Sequence, residues 1–214
     1  MKLTKQAHAC VTLDKGGGHL VIDPGTFTPN AAELVAGTDT VLITHEHFDH
    51  FDEEVIEAAL RARPELKVYG PASVVTRWRD NRPNQAVAIA AGDRLNLDGF
   101  DIAVFGDLHA PIHHDIPQVA NVGFLIDGGV YHPGDAYHAP PTRVTTLLLP
   151  TSGPWTKVGE AADYVRAVDP DRVIQIHEIM LSEVGQQSVA TFLSPKMLTR
   201  VPLTIVPVGG TLAL

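Results

Sequence analysis

The chain is poor in cysteine, in positive charge and in long apolar runs. Cys10 is the only cysteine among 214 residues, so no disulfide can form within the chain and thiolate zinc fingers are excluded. Its apolar neighbours mark it as a buried, inert thiol. Lysine and arginine number 16 against 25 aspartates and glutamates, a formal net charge of -9. That balance repels a phosphate backbone and counts against a nucleic-acid partner, although bound divalent cations would add positive charge locally. No apolar run reaches membrane-spanning length, and the opening Met1-Lys2-Leu3-Thr4-Lys5-Gln6 lacks the apolar stretch of a secretory leader. The expectation is a cytoplasmic protein with no membrane partner. There is no repeat of fixed period, no low-complexity tract and no linker. Residues 1–214 are therefore expected to form a single domain, with a homo-oligomer left open. Hydrophobic residues make up 44% and charged residues 19%, which suits a folded chain with a substantial core.

What the chain does have is histidine, concentrated in one place. Residues 44 to 50 read Thr-His-Glu-His-Phe-Asp-His, immediately after the apolar β-type segment Thr40-Val41-Leu42-Ile43. Packing gives no reason for three imidazoles and a carboxylate at a strand end. Neutral imidazole is the commonest biological metal ligand, and imidazole with carboxylate suits zinc, manganese or iron. In extended chain His45 and His47 project to the same side. Asp49 and His50 fall where the chain turns into the next helix. The run therefore suggests one pair of ligands for a first metal and another pair for a second.

The order of elements frames this cluster. Ala7 to Leu13 and His19 to Ile22 read as two strands of a hairpin around Asp14-Lys15-Gly16-Gly17-Gly18, the second running into the turn Asp23-Pro24-Gly25. Asp52 to Arg63 reads as a helix, with Asp52 as its cap, Glu53 and Glu54 in its first turn and an apolar stripe of Val55, Ala58 and Ala59; Pro64 stops it. Leu66 to Tyr69 is a strand, and Pro71 to Asp80 a helix opened by proline. Strand-like pieces follow at Ala86 to Ile89, Arg94 to Leu97, Asp101 to Phe105, Val122 to Ile126 and Val130 to His132, and Val144 to Leu149 is an apolar run ending at Pro150. A helix over Lys157 to Val168, a strand over Val173 to Ile176, a helix within Gln186 to Leu198, and strands at Leu203 to Val206 and Thr211 to Leu214 complete the chain. The first half reads as strand-rich and the end as β-α-β.

Four more metal-capable residues share the placement of the histidine run, just past a strand: Asp23, His109, Asp135 and His177. Loops at the ends of a rigid sheet hold ligands in place. In this order, Asp23, His45-x-His47-x-Asp49-His50, His109, Gly134-Asp135 and His177 resemble the metallo-β-lactamase superfamily over nearly the whole chain. His8-Ala9, Asp23-Pro24, Tyr131 to Asp135 and the Pro150 to Trp155 loop are similar to the compact metal-dependent hydrolases related to ascorbate-phosphate lactonases.

The resemblance implies an αββα sandwich of two mixed β-sheets with flanking helices and a binuclear site at one edge. It assigns His45, His47 and His109 to a first metal, and Asp49, His50 and His177 to a second. Asp135 bridges them, and Asp23 lies behind a ligand imidazole, fixing its tautomer. Zn2+ is the leading candidate, with Mn2+ or Fe2+ as alternatives. Asp49 and Asp135 are the catalytic carboxylates. His8 and His138 are assigned to the surroundings of the ligands, with His138 or a metal-bound water as the source of the leaving group's proton, and Trp155 to packing more than to a substrate platform. His113 and His114 compete with His109, which is preferred because it comes soonest after its strand. Where many relatives carry Thr after the bridging Asp, this chain has Ala136, so a hydroxyl near the site is missing.

The activity implied is hydrolysis of a small ester, lactone or phosphodiester-like substrate by a hydroxide shared between the two metals. A phosphodiesterase or nuclease of the same fold is the first alternative. An iron-loaded redox protein or a non-enzymatic metal binder ranks below it.

Overall fold

A computed structural model describes residues 1–214. Alternating apolar side chains place a core on both faces of each sheet. Along β3 (Gly18–Ile22), Leu20 and Ile22 point inward to the facing sheet while Val21 points outward to the helices. Leu148 on β11 (Thr146–Pro150) points inward while Leu147 and Leu149 point outward. This period-two division of one strand between two cores makes four layers of the chain: helices, sheet, sheet, helices.

The first sheet has the order β14-β1-β2-β3-β4-β5-β6. It uses β1 (Lys2–Lys5), β2 (Val11–Lys15), β3, β4 (Thr40–Leu42), β5 (Lys67–Gly70), β6 (Ala86–Ala88) and the terminal β14 (Thr211–Ala213). The second has the order β13-β12-β11-β10-β9-β8-β7. It contains β7 (Arg94–Leu97), β8 (Phe100–Phe105), β9 (Gly123–Ile126), β10 (Val130–His132), β11, β12 (Arg172–Ile176) and β13 (Leu203–Thr204). Both sheets follow one plan. Antiparallel neighbours come first, then parallel strands from β3 to β6 and from β10 to β13. Parallel neighbours need crossovers. On the first sheet these contain α1 (Ala31–Ala36), α2 (Glu53–Ala62) and α3 (Ala72–Arg79); on the second, α4 (Val158–Val168) and α5 (Glu183–Phe192).

The expected two mixed sheets and flanking helices are thus observed, with local differences. The strand expected from Ala7 begins only at Val11. Residues 6–10 form a tight loop closed by Gln6 N–H to Cys10 O (3.0 Å) and Cys10 N–H to Ala7 O (2.9 Å), and His8 has a left-handed φ of 55°. The apolar run Ala7, Ala9, Cys10 imitates a strand but serves to bury this loop. β1 was not anticipated because Lys2 and Lys5 disguise its alternation; Lys5 is nonetheless buried, paired with Glu178 at 2.9 Å. The first half is helical as well as strand-rich. Its α1 has only six residues and no side-chain cap, too short to show a stripe. Asp52 does cap α2, accepting from Val55 N at 3.1 Å; the fully buried positions are Ile56 and Leu60, with the expected Val55 and Ala59 packed beside them partly buried and Ala58 exposed. α5 starts at Glu183, capped by Ser182, three residues before the expected Gln186. No helix is long and apolar enough to cross a membrane.

Two consequences are measurable. Gly25, in the turn after β3, lies against the backbone of residues 49 and 50, and a Cβ there would collide with the Asp49 carbonyl. Backbone cannot swing aside as a side chain can. Gly25→Ala is expected to cost about 1–3 kcal/mol or more, read as a lower denaturation midpoint of the metal-free protein. Burial pushes the Cys10 thiol up to about 12. It should resist alkylation at neutral pH until the chain is unfolded, and fast labelling of the native protein would contradict its placement.

Candidate metal centre

The parallel strands of both sheets deliver their carboxyl ends to one edge of the sandwich. Asp23 follows β3, residues 44–50 follow β4, Asp135 follows β10, Ser152 follows β11 and His177 follows β12. Ligand sites of open α/β sheets form at such ends. Here two sheets face each other, so ligands arrive from both sides. Cross-sheet backbone bonds fix their separation: Val122 N–H to Thr44 O (2.9 Å) and His177 N–H to His8 O (3.0 Å).

Two groups of ligand atoms result. Those of His45, His47 and His109 lie within 4.8 Å of one another, as do those of His8, Asp49, His50 and His177. A third set, His45, His50 and Asp135, straddles the two. The Asp135 carboxylate stands between the groups: Oδ1 is 3.1 Å from His50 Nε2, and Oδ2 is 3.0 Å from His177 Nε2 and 3.5 Å from His109 Nε2.

The hydrogen bonds orient the rings. Asp23 is fully buried and accepts from Thr44 N (2.8 Å), Thr44 Oγ1 (2.7 Å) and His50 Nδ1 (2.7 Å). The Thr44 hydroxyl, having donated to Asp23, accepts from His45 Nδ1 at 3.0 Å. His109 Nδ1 donates to Ala110 O at 2.5 Å. All three imidazoles are therefore anchored through Nδ1, which leaves a lone pair on Nε2 aimed into the cluster. His45 Nε2, His50 Nε2, both His177 nitrogens and Asp135 Oδ1 are buried without a hydrogen-bond partner. Buried polar atoms are rarely left so, and here they converge, which is the signature of a cation site. Imidazole and carboxylate are the donor set such a cation requires, so the residues fit the metals expected from the sequence.

The charges agree. Burial disfavours the charged forms of His45 and His47, and both are lowered, leaving neutral rings able to ligate. Burial acts the same way on His50 and His177, but Asp135 outweighs it, with Asp23 helping at His50 and Asp49 at His177. His50 rises well above the ordinary value and His177 to about 9. Without a cation the carboxylates draw protons onto these rings. Burial also opposes ionisation of Asp49, yet the imidazoles of His177 and His8 beside it hold its carboxyl far below the ordinary carboxylate range.

Of the residues singled out from sequence, His45, His47, Asp49, His50, His109, Asp135 and His177 are brought together, with Asp23 behind His50. His8 is closer than anticipated, its Nε2 3.0 Å from Asp49 Oδ2. His138 is exposed and belongs to none of the groups. His113 and His114 are exposed and meet only each other and Asp115. His132 is satisfied on both nitrogens, by Ala9 O (2.9 Å) and Gly134 N–H (3.2 Å).

Two contributors, Thr44 and Asn121, escaped the sequence reading, and a third, Trp155, was assigned to packing. Thr44 joins Asp23 to His45. Asn121 donates to Pro133 O (2.9 Å) and accepts from Asp135 N–H (3.0 Å), holding the turn at Gly134, where φ is 65° and a Cβ would strike Asn121 and Thr44. Trp155 is more than a packing residue, since its Nε1 donates to Asp135 Oδ2 at 2.9 Å. Its position after Pro150 in the loop following β11 was the available signal.

Comparison with known proteins places this centre in context. Protein Rv0786c of Mycobacterium tuberculosis is 34% identical over 191 residues, covering 85% of this chain and 86% of its own. A UPF0173 metal-dependent hydrolase from Aeropyrum pernix is 29% identical over 197 residues, covering 82% and 81%. A solved metallo hydrolase from the archaeon Ignicoccus hospitalis superposes with a TM-score of 0.73 at 21% identity, over 99% of this chain and 97% of that one. Residues 2–177 match the family described as the beta-lactamase superfamily domain, and with two mixed seven-stranded sheets and flanking helices, the chain belongs to the metallo-β-lactamase superfamily.

Proposed function

We propose that residues 1–214 act as one metal-dependent hydrolase domain with a binuclear centre, cleaving a small ester, lactone or phosphodiester-like substrate. The observation that carries this reading is the pair of ligand groups with Asp135 between them, their buried Nε2 atoms unpartnered. His45, His47 and His109 would hold one cation, Asp49, His50 and His177 the other, with Asp135 shared; zinc or manganese suits these donors best. Two such cations would supply Lewis acidity and a water nucleophile at neutral pH. The hydrolase names of the relatives agree with this reading.

The chain's own groups do the rest. Asp49, held ionised, accepts a hydrogen bond from water well but keeps a proton poorly, so its role is orientation. Trp155 fixes Asp135 from one side, and its ring forms part of the wall of an adjoining cavity of about 520 Å³, which His109, Ala110, Ile112, Ala136 and Tyr137 also line. That volume lies within the range of small-molecule sites. Ala136 offers this cavity a methyl group where a hydroxyl would have offered a hydrogen bond. Lys157, at the rim, is paired with Glu160 at 2.7 Å, which leaves the cavity little free positive charge for a chain of phosphates.

Protein purified without chelator is expected to carry close to two transition-metal ions per chain. Asp135→Ala should lower both occupancies together and cut hydrolysis roughly a hundredfold or more, while His109→Ala loses the first metal and His114→Ala keeps it. Elemental analysis after gel filtration decides, and one ion per chain under metal excess would refute the binuclear centre.

Substrate size gives a separate outcome. Metal-dependent turnover is expected on a small activated ester, lactone or bis-nitrophenyl phosphate, with little on RNA at the same low salt, where binding to a polyanion is most favoured. Efficient RNA cleavage with inert small substrates would establish the nuclease reading instead.

A further inference from the structure

His8 lies outside the ligand set proposed above, yet its loop and its ring are both fixed at the centre. Its loop is bonded across the sandwich at two points, by His177 N–H to His8 O at 3.0 Å and by His132 Nε2 to Ala9 O at 2.9 Å. The ring is fully buried. It lies against His177 with centroids 3.7 Å apart and meets the edge of Phe27 at 5.2 Å. Its backbone is left-handed, as is that of Asp23 and His177. The other non-glycine residues in this conformation are Asp98, Asp127 and Asp169. Asp98 and Asp127 sit in hairpin turns and Asp169 at the C-terminus of α4, where short polar side chains tolerate it. His8 takes it in the turn closed by Cys10 N–H to Ala7 O at 2.9 Å, a position where glycine or asparagine is the usual occupant.

The hydrogen bonds define the role. In His45, His50 and His109 the anchored nitrogen is Nδ1 and the free one is Nε2. His8 reverses this pattern: Nε2 is bonded to Asp49 Oδ2 at 3.0 Å and Nδ1 has no partner. A carboxylate that serves as a metal ligand can only accept, so the proton of this bond is on His8 Nε2. A nitrogen that carries a proton cannot bind a cation. Nor does His8 behave as a purely architectural histidine, since His132 beside it has both nitrogens satisfied by backbone.

We propose that His8 is a positioning residue for the second metal: its Nε2–H holds Asp49 Oδ2 and so sets the rotation of the carboxylate about its Cβ–Cγ bond. The inference rests on the reading of Asp49 as a ligand. A carboxylate tethered at one oxygen presents the other in a fixed direction, whereas a free one must lose that rotational freedom when a cation binds. Outer hydrogen bonds of this kind are worth about 10–100-fold in metal affinity.

The test uses the zinc-loaded protein. Nitrogen-15 long-range correlation spectra of the imidazoles report the His8 tautomer directly, and the expected result is a proton on Nε2. A proton on Nδ1 with a zinc-shifted Nε2 would make His8 a ligand and overturn the proposal. Chelator competition then measures the two zinc equivalents separately. His8→Phe, which keeps the ring's bulk without its donor, should weaken one equivalent about 10–100-fold and leave the other within about threefold. His8→Gln, whose amide restores a donor, should recover most of that loss. Equal weakening of both equivalents, together with a lower denaturation midpoint of the metal-free protein, would make the role merely structural; an unchanged affinity, or no recovery in His8→Gln, would also overturn it. Asp49→Asn serves as the separate control. If it leaves both zinc affinities intact, the ligand assignment of Asp49 fails on its own account, while the tautomer spectrum still reports on the His8–Asp49 bond.

Discussion

Three carboxylates, those of Asp23, Asp49 and Asp135, are buried together at one edge of the sandwich, and every partner within ion-pair distance of them is a histidine. No lysine or arginine neutralises them. Burying charge in this way is costly unless an opposite charge is supplied, and the carboxylates shift His50 and His177 towards their charged forms. Most of what is unusual in the chain serves to hold this negative cluster in place: left-handed backbone at His8, Asp23 and His177, and glycines at 25 and 134 where no side chain fits. On the proposed reading, bound cations would supply that compensation.

The two-sheet architecture explains why the cluster is rigid. The first sheet carries His8, Asp23 and the run from His45 to His50; the second carries His109, Asp135, Trp155 and His177. Sheets packed only through side chains could slide, but here backbone bonds cross between them beside the site, from Val122 to Thr44 and from His177 to His8. The buried Lys5–Glu178 pair adds a third link at the ends of β1 and β12. Its charges are of the kind costly to separate, since removing one leaves the other unpaired inside the protein. The ligands are thus positioned by the same contacts that join the halves of the fold.

Sequence carried the local half of this. The period-two apolar segments, the Asp52 cap and the placement of Asp23, Asp135 and His177 after strands depend on near neighbours, and they are visible in the chain. Strand order is not, because pairing joins residues far apart: nothing near Thr211 says that it returns to β1. The missed contributors fail for the same reason. Asn121 reads as an ordinary loop residue until Pro133 and Asp135 are folded onto it, and Thr44 reads as the last residue of a strand until Asp23 arrives beside it. His8 was placed in a strand because Ala7, Ala9 and Cys10 are apolar. The bend is closed locally, by Cys10 N–H to Ala7 O and Gln6 N–H to Cys10 O, and is anchored by His132 and His177 on the other sheet.

The two ligand groups are not equivalent. His45, His47 and His109 form an all-imidazole group, with His45 and His47 kept neutral by burial, whereas the other group includes the carboxylate of Asp49. With Asp135 shared and Asp23 behind His50, three negative charges would face the four positive charges of two divalent cations, leaving about one positive charge at the centre. Around it lies a chain of net charge -9. On the proposed binuclear reading, a field positive within a few ångströms and negative beyond would select by size: over a Debye length of about 8 Å at physiological salt, a small polar group reaching His109 and Asp135 would meet the inner sign, and an extended polyanion the outer one along most of its length.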